Sequence, residues 1–140
     1  FYNQGVLQSL KKIVKLKKEY KLFFLVVYPN IKCSTKEVYS KVKNYNKKKV
    51  LKQNYKNKVA LINQIFFLKN DLQSIVEKKY PVIQKLLLNI SNEKGCYFSR
   101  MTGSGSACYG LFRDKRSSKV ALKRLRKKYP KFWFSIAKTI

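Results

Sequence analysis

Ser99-Arg-Met-Thr-Gly-Ser-Gly-Ser-Ala-Cys-Tyr-Gly-Leu-Phe112 sets a run of small residues, Thr102 to Ala107, between two stretches with the alternation of β-strands. With two glycines, two serines and no bulky side chain, this loop can adopt φ > 0 and turn backbone N–H groups toward an anion. No Gly-Lys-Ser/Thr follows, which excludes a Walker A loop. A strand rather than a helix comes next, which excludes a dinucleotide fingerprint. Two readings stand open on these residues alone: a plain hairpin turn and a phosphate site.

Working outward toward the N-terminus, Gly95 closes a helix that Pro81 opens and that Val82, Ile83, Leu86, Leu87 and Ile90 line. Asn70-Asp71 offers two N-cap residues to a helix starting at Asp71, lined by Leu72, Ile75, Val76 and Tyr80. Val59, Ile62, Ile65, Phe66 and Leu68 have helical spacing, and Asn44 to Lys58 reads as a low-complexity surface loop or weak helix. Ser34-Thr35-Lys36-Glu37 has the form of a capping box and opens a helix to about Lys43. Leu22-Phe-Phe-Leu-Val-Val-Tyr28 is continuously apolar and β-rich, so it should be a central strand covered on both faces. Phe1 to Leu10 reads as a strand or strand pair, and Lys11 to Lys18 as a lysine-guarded edge strand.

Toward the C-terminus, Arg113 to Arg116 is a charged turn. Ser117 or Ser118 caps a helix lined by Val120, Ala121, Leu122, Leu125 and Tyr129, and Pro130 ends it. Lys131 to Ile140 alternates Phe132, Phe134 and Ile136 against Trp133, Ser135 and Ala137, a final strand whose aromatics read as core. The order from Leu22 is strand, helices, strand, strand, helix, strand. That predicts an α+β chain with the ferredoxin-like split β-α-β sandwich, an antiparallel sheet with helices on one face.

The 140 residues carry a formal charge of +27, the electrostatic footprint of a nucleic-acid binder. Lys outnumbers Arg 28 to 5, however, and Asn, Ile, Tyr and Phe are also abundant. A/T-rich coding produces the same bias, so nucleic acid is expected to bind only non-specifically through charge. Cys33, Cys96 and Cys108 have no metal-like spacing and the chain has no His, so no metal site is expected and the thiols read as reduced and mostly buried. The longest apolar run, Leu22 to Tyr28, is far short of the ~20 residues of a membrane span.

Four segments in order resemble one family, the 4-diphosphocytidyl-2-C-methyl-D-erythritol kinases. These belong to the superfamily of galactokinase, homoserine kinase and mevalonate kinase. Arg100 to Phe112 resembles the family's third motif, Pro29 with Ser34-Thr35-Lys36-Glu37-Val38-Tyr39 its Pro…Ser-Thr-x-Glu-Val/Ile-Tyr/Phe segment, and Asn70-Asp71-Leu72 followed by Tyr80-Pro81 its Asn-Asp-Leu-Glu…Tyr-Pro run. Gly5-Val6-Leu7-Gln8 falls where the family has Gly-Ile/Val-Gly-Glu, so the second Gly and the Glu are replaced.

The resemblance implies that residues 1–20 are residual strands of a missing N-terminal kinase domain and that 21–140 form the C-terminal domain. It implies phosphoryl transfer from ATP with Mg2+ to a cytidine diphosphate-linked polyol in non-mevalonate isoprenoid synthesis, in a bacterial cytoplasm or, second, an organelle stroma. The family's catalytic Asp, its Lys and the main ATP loop lie upstream, so no catalytic residue is expected in this chain and the segment should be inactive alone. By the same analogy the N–H groups of Gly103, Ser104, Gly105 and Ser106, with the hydroxyls of Thr102, Ser104 and Ser106, contact phosphate or brace the phosphate loop. Asn70 and Asp71 read as helix caps, with a substrate-side position as the second reading. Arg100 either pairs with an acidic side chain or faces phosphate, and Cys108 is a small buried side chain. The alternative from another class is a basic ferredoxin-like nucleic-acid-binding module whose sheet aromatics stack on bases, although the RNA-recognition consensus is missing.

Overall fold

The computed structural model describes residues 5–9, 12–43 and 54–139, with 5–9 and 12–14 as backbone only. The elements in chain order are β1 (Gly5–Ser9), β2 (Lys12–Lys15), β3 (Phe23–Tyr28), α1 (Thr35–Ser40), α2 (Lys58–Phe66), α3 (Gln73–Lys79), α4 (Pro81–Ser91), β4 (Cys96–Met101), β5 (Cys108–Phe112), α5 (Lys115–Lys128) and β6 (Trp133–Lys138). Strands β1 and β2 pair antiparallel as a separate two-stranded sheet. The other four form an antiparallel sheet in the order β4-β5-β3-β6, the ferredoxin-like order that the sequence predicts.

The apolar run of β3 sits between β5 and β6, with Val27 opposite Cys108 on one side and Phe134 on the other. Alternation along it sends Leu25 and Val27 into the main core, where they meet Val76, Ile83, Leu86 and Ile90 of α3 and α4 and Ala121 and Leu125 of α5. Each such side chain, once buried, stabilises the fold by roughly 1.5–3 kcal/mol. The partners on the other face are Leu22, Phe98 and Leu111, covered by Leu61 and Ile62 of α2 together with Tyr20 and Tyr55. Four helices therefore share one face, but α2 lies on the opposite one, so the expectation of helices on one face holds for all but α2, which covers Phe98 and Leu111. That is why β3 is apolar on both sides.

Gly110 in β5 lets α4 come close, because a Cβ there would lie 2.5 Å from Ile90 Cγ2 and 2.9 Å from Phe112 Cε2. Local signals shift several boundaries. Asp114, not Ser117 or Ser118, caps α5: its Oδ1 accepts from the Ser117 amide at 2.7 Å, and both serines are buried. That amide holds the Asp114 carboxyl below its ordinary pKa. Helix α4 ends at Ser91 with Asn92 as C-cap, and Gly95 instead makes the turn into β4 at φ +87°, where a Cβ would collide with Ser117. Helix α1 stops at Ser40 rather than about Lys43. Trp133 is 54% exposed on edge strand β6, so of the three aromatics read as core only Phe134 is buried, with Phe132 packed against it at the margin. Within Asn44 to Lys58, residues 44–53 lie outside the described residues. Beyond them Tyr55 is buried and Asn57 caps α2 through the Ala60 amide at 2.9 Å.

Candidate functional site

The loop between β4 and β5 is a hairpin with a second function open to it. The Thr102 amide donates to the Ala107 carbonyl at 2.9 Å and the Gly105 amide to the Thr102 carbonyl at 3.2 Å. Gly103 and Gly105 take φ +56° and +92°, values that side chains resist. The two glycines differ in surroundings. A Cβ on Gly105 would lie 2.9 Å from Met101 Sδ and 3.3 Å from Cys33 Sγ, whereas one on Gly103 would meet nothing within 4 Å. Gly105 is thus fixed by packing from below, and Gly103 faces open space.

The residues expected at phosphate divide into inward and outward groups. Ser106 is 2% exposed and its hydroxyl donates to the Ile31 carbonyl at 2.5 Å, so it anchors the loop to the segment after β3. Gly105 spends its amide inside the hairpin. The amides of Gly103 and Ser104 have no protein acceptor among the described residues, and Thr102 and Gly103 are exposed. Ser104 Oγ shares a hydrogen bond of 2.9 Å with Thr35 Oγ1.

Three other segments converge on this loop. Ser34 caps α1 through the Glu37 amide at 3.3 Å, but the Glu37 carboxylate does not complete a reciprocal box. It accepts from Lys41 at 2.8 Å and from Lys79 of α3 at 2.7 Å, and these two ammonium groups hold its pKa down at about 2. Lys79 is correspondingly raised. This ion pair ties α1 to α3. Thr35, read from sequence as a cap, therefore reaches Ser104 from a fixed helix.

Asn70 heads the turn into α3, its Oδ1 accepting from the Leu72 amide at 3.0 Å, so the helix begins at Gln73 rather than Asp71. Its Nδ2 donates across to the carbonyls of Met101 at 2.9 Å and Gly103 at 2.8 Å. Gln73 Oε1 accepts the Met101 amide at 3.0 Å. Nothing in the sequence spacing announces these contacts, because they join residues about thirty positions apart. Asp71 is half-buried beside Asn70 on a cleft of about 420 Å³ shared with Tyr39, Lys69, Thr102 and Gly103. A second cleft of about 540 Å³ continues past Lys69, Asn70 and Asp71 to Gln73, Glu77 and Arg100.

Arg100 pairs with no acidic side chain among the described residues, although it lines the second cleft. Its guanidinium donates to the carbonyls of Ile65 and Phe66 at 3.2–3.4 Å and lies over the Phe98 ring at 4.7 Å. It thereby satisfies the C-terminus of α2, where a cation is favoured. Cys108 is buried beneath the loop, and desolvation pushes its thiol up to about 12. It is inert packing, as expected.

Comparisons with known proteins agree on one family. The profile for the C-terminal domain of GHMP kinases matches residues 47–131. A 4-diphosphocytidyl-2-C-methyl-D-erythritol kinase from Pelagibacter ubique is 33% identical over 136 residues, covering 97% of this chain and 48% of that protein. Kinases of the same name from Prochlorococcus marinus and from the Wolbachia of Brugia malayi are 34% and 33% identical, covering 70% and 76% of this chain and 36% and 37% of their own length. The chain thus spans about half or less of the relatives it matches. Among solved structures, a 4-(cytidine 5'-diphospho)-2C-methyl-D-erythritol kinase superposes with TM-score 0.67 at 20% identity, over 90% of this chain and 46% of that one. A homoserine kinase from Cytophaga hutchinsonii superposes with TM-score 0.58 at 13% identity, over 99% and 49%. With the profile covering most of the chain and the sheet order matching these folds, the chain belongs to the GHMP kinases, as their C-terminal domain.

Proposed function

We propose that this chain is the C-terminal half of an ATP-dependent kinase that phosphorylates 4-diphosphocytidyl-2-C-methyl-D-erythritol in the cytoplasm, and that it is inactive without the preceding half. Phosphoryl transfer is mostly positioning and charge stabilisation. The observation that carries the reading for this segment is the loop. The Gly103 and Ser104 amides have no protein acceptor among the described residues, and Gly103, with open space where a Cβ would stand, lines a cleft together with Thr102 and Lys69. In the proposed enzyme these amides, with the hydroxyls of Thr102 and Ser104, contact a phosphate or brace the ATP loop. Ser106 and Gly105 hold the turn from within, and Asp71 stands on the substrate side. Residues 1–20 belong in this reading with the N-terminal domain, and 21–140 form the domain described above.

ATP would arrive with Mg2+. Among the described residues no three His, Cys, Asp or Glu side chains gather into a cluster that could hold a metal by themselves. No helix of the described residues is long and apolar enough to cross a membrane. The nucleic-acid reading is weaker, because the sheet face that would have to stack on bases is occupied. Phe98 and Leu111 are buried there under Leu61 and Ile62.

The test is a phosphoryl-transfer assay on the full-length protein with radiolabelled ATP, offering the diphosphocytidyl substrate beside homoserine. The reading expects label only on the former. Transfer to homoserine instead, or none to either, would set it aside.

A further inference from the structure

We infer that Asn70 is a positioning residue that aims the loop's outward amide, an inference that rests on the phosphate-loop reading above. The argument begins with the peptide plane. In a trans peptide the C=O and the following N–H point in opposite directions. Asn70 Nδ2 takes the Met101 carbonyl at 2.9 Å and the Gly103 carbonyl at 2.8 Å. Both following peptides are trans, so the next amides must face away from Asn70. The first of these, Thr102 N–H, does so and closes the hairpin on Ala107 at 2.9 Å. The second, Ser104 N–H, has no protein acceptor among the described residues, and the same constraint directs it to the outer side of the loop.

Besides Asn70, the plane between Gly103 and Ser104 is held by the turn that the Gly105 amide closes on the Thr102 carbonyl at 3.2 Å. Gly103 has no Cβ, so its own backbone tolerates a wide range of φ and ψ and does little to select this orientation. Thr35 restrains the Ser104 side chain, not its amide. Asn70 is itself fixed, because its Oδ1 holds the Leu72 amide at 3.0 Å and so locks the orientation of its Nδ2. One amide side chain thus starts α3 with its oxygen and sets the loop with its nitrogen. Preorganised donors act because they need no reorientation as charge develops. The role assigned to Asn70 is exerted through Ser104.

The isosteric change Asn70→Asp keeps the acceptor for Leu72 and replaces the donor with an oxygen that repels both loop carbonyls. Asn70→Ala removes both functions. Asn89→Ala is the control, since Asn89 hydrogen-bonds Tyr129 and Lys128 between α4 and α5, away from the loop. In the full-length kinase, kcat at saturating substrates should fall about tenfold or more in both Asn70 variants, while Asn89→Ala stays within about twofold. Equal losses in all three, or unchanged kcat in the Asn70 variants, would overturn the inference.

If the wild type transfers no phosphoryl group to this substrate, the functional reading has failed and the positioning claim is judged by NMR. Adding inorganic pyrophosphate should shift the Ser104 amide resonance in the wild type and not in Asn70→Asp. An equal shift in both, or none in either, overturns it.

Discussion

Thr35 Oγ1 and Ser104 Oγ lie 2.9 Å apart, joining the first turn of α1 to the tip of the β4–β5 loop across 69 positions of sequence. The contact depends on where α1 sits, and α1 is tied to α3 by Glu37 and Lys79. Loop and helices therefore form one assembly.

The Glu37 link gives a pH prediction. Lys41 and Lys79 lower its folded pKa from 4.5 to about 2, so its contribution to stability is full above 4.5 and disappears as pH falls through about 2. Glu37→Gln should melt lower than wild type at neutral pH, and the gap should close as pH falls from 4.5 toward 2. Because both partners are substantially exposed, the gap will be small. Thermal melts of both proteins across that range check it, and a gap independent of pH would contradict the assignment.

The two loop glycines should respond differently to alanine. Gly103→Ala meets only the left-handed backbone penalty, about 1 kcal/mol, because its Cβ enters open space. Gly105→Ala adds overpacking against Met101 Sδ and Cys33 Sγ, which costs typically about 1–3 kcal/mol more. Urea unfolding of the two variants measures the difference, and equal losses would show that the packing below Gly105 yields freely.

Thiol reactivity should follow burial. Cys108 is buried with its pKa near 12, and burial also takes Cys96 to about 12, while Cys33 is raised to a lesser degree. Brief treatment of the folded protein with iodoacetamide at about pH 8 should alkylate Cys33 first, read by peptide mass spectrometry. Modification of Cys108 before unfolding would be inconsistent with the packing under the loop.

Helix α5 predicts a salt response. Its 14 residues include Lys115, Arg116, Lys119, Lys123, Arg124, Arg126, Lys127 and Lys128 and no acid. Among the described residues its acidic partner is Glu93, 3.8 Å from Arg124. Like charges three and four apart repel, and two cations in the first turn oppose the helix dipole. Raising salt from about 50 mM to about 500 mM should raise Tm, and Lys123→Glu should stabilise by roughly 0.5 kcal/mol at low salt. A fall in Tm with salt would contradict this account.

The sheet was legible because its cues are local. The unbroken Leu22 to Tyr28 run, the alternation around Thr102 to Ala107 and the Pro81 helix start each report on near neighbours in sequence. The cap at Asp114 is masked by its place in the charged run Arg113 to Arg116, where two serines just beyond compete for the same role. The placement of α2 on the far face could be read only from β3 being apolar on both sides. The contacts of Arg100 leave no trace in local sequence, since its acceptors are backbone carbonyls 34 and 35 residues away. The site is the least legible part. Small residues mark the loop, but how it is held follows from Asn70, Thr35 and Ile31, whose contacts with it no periodicity encodes.

The most direct test of the central claim is Gly103→Val in the full-length protein, assayed for ATP-dependent phosphorylation of 4-diphosphocytidyl-2-C-methyl-D-erythritol below the melting temperature of both proteins. A branched side chain placed over the outward amides should lower kcat/KM by about 100-fold, the scale of loss expected when a phosphate is displaced by about an ångström. Unchanged kcat and KM would show that the loop is a hairpin and nothing more.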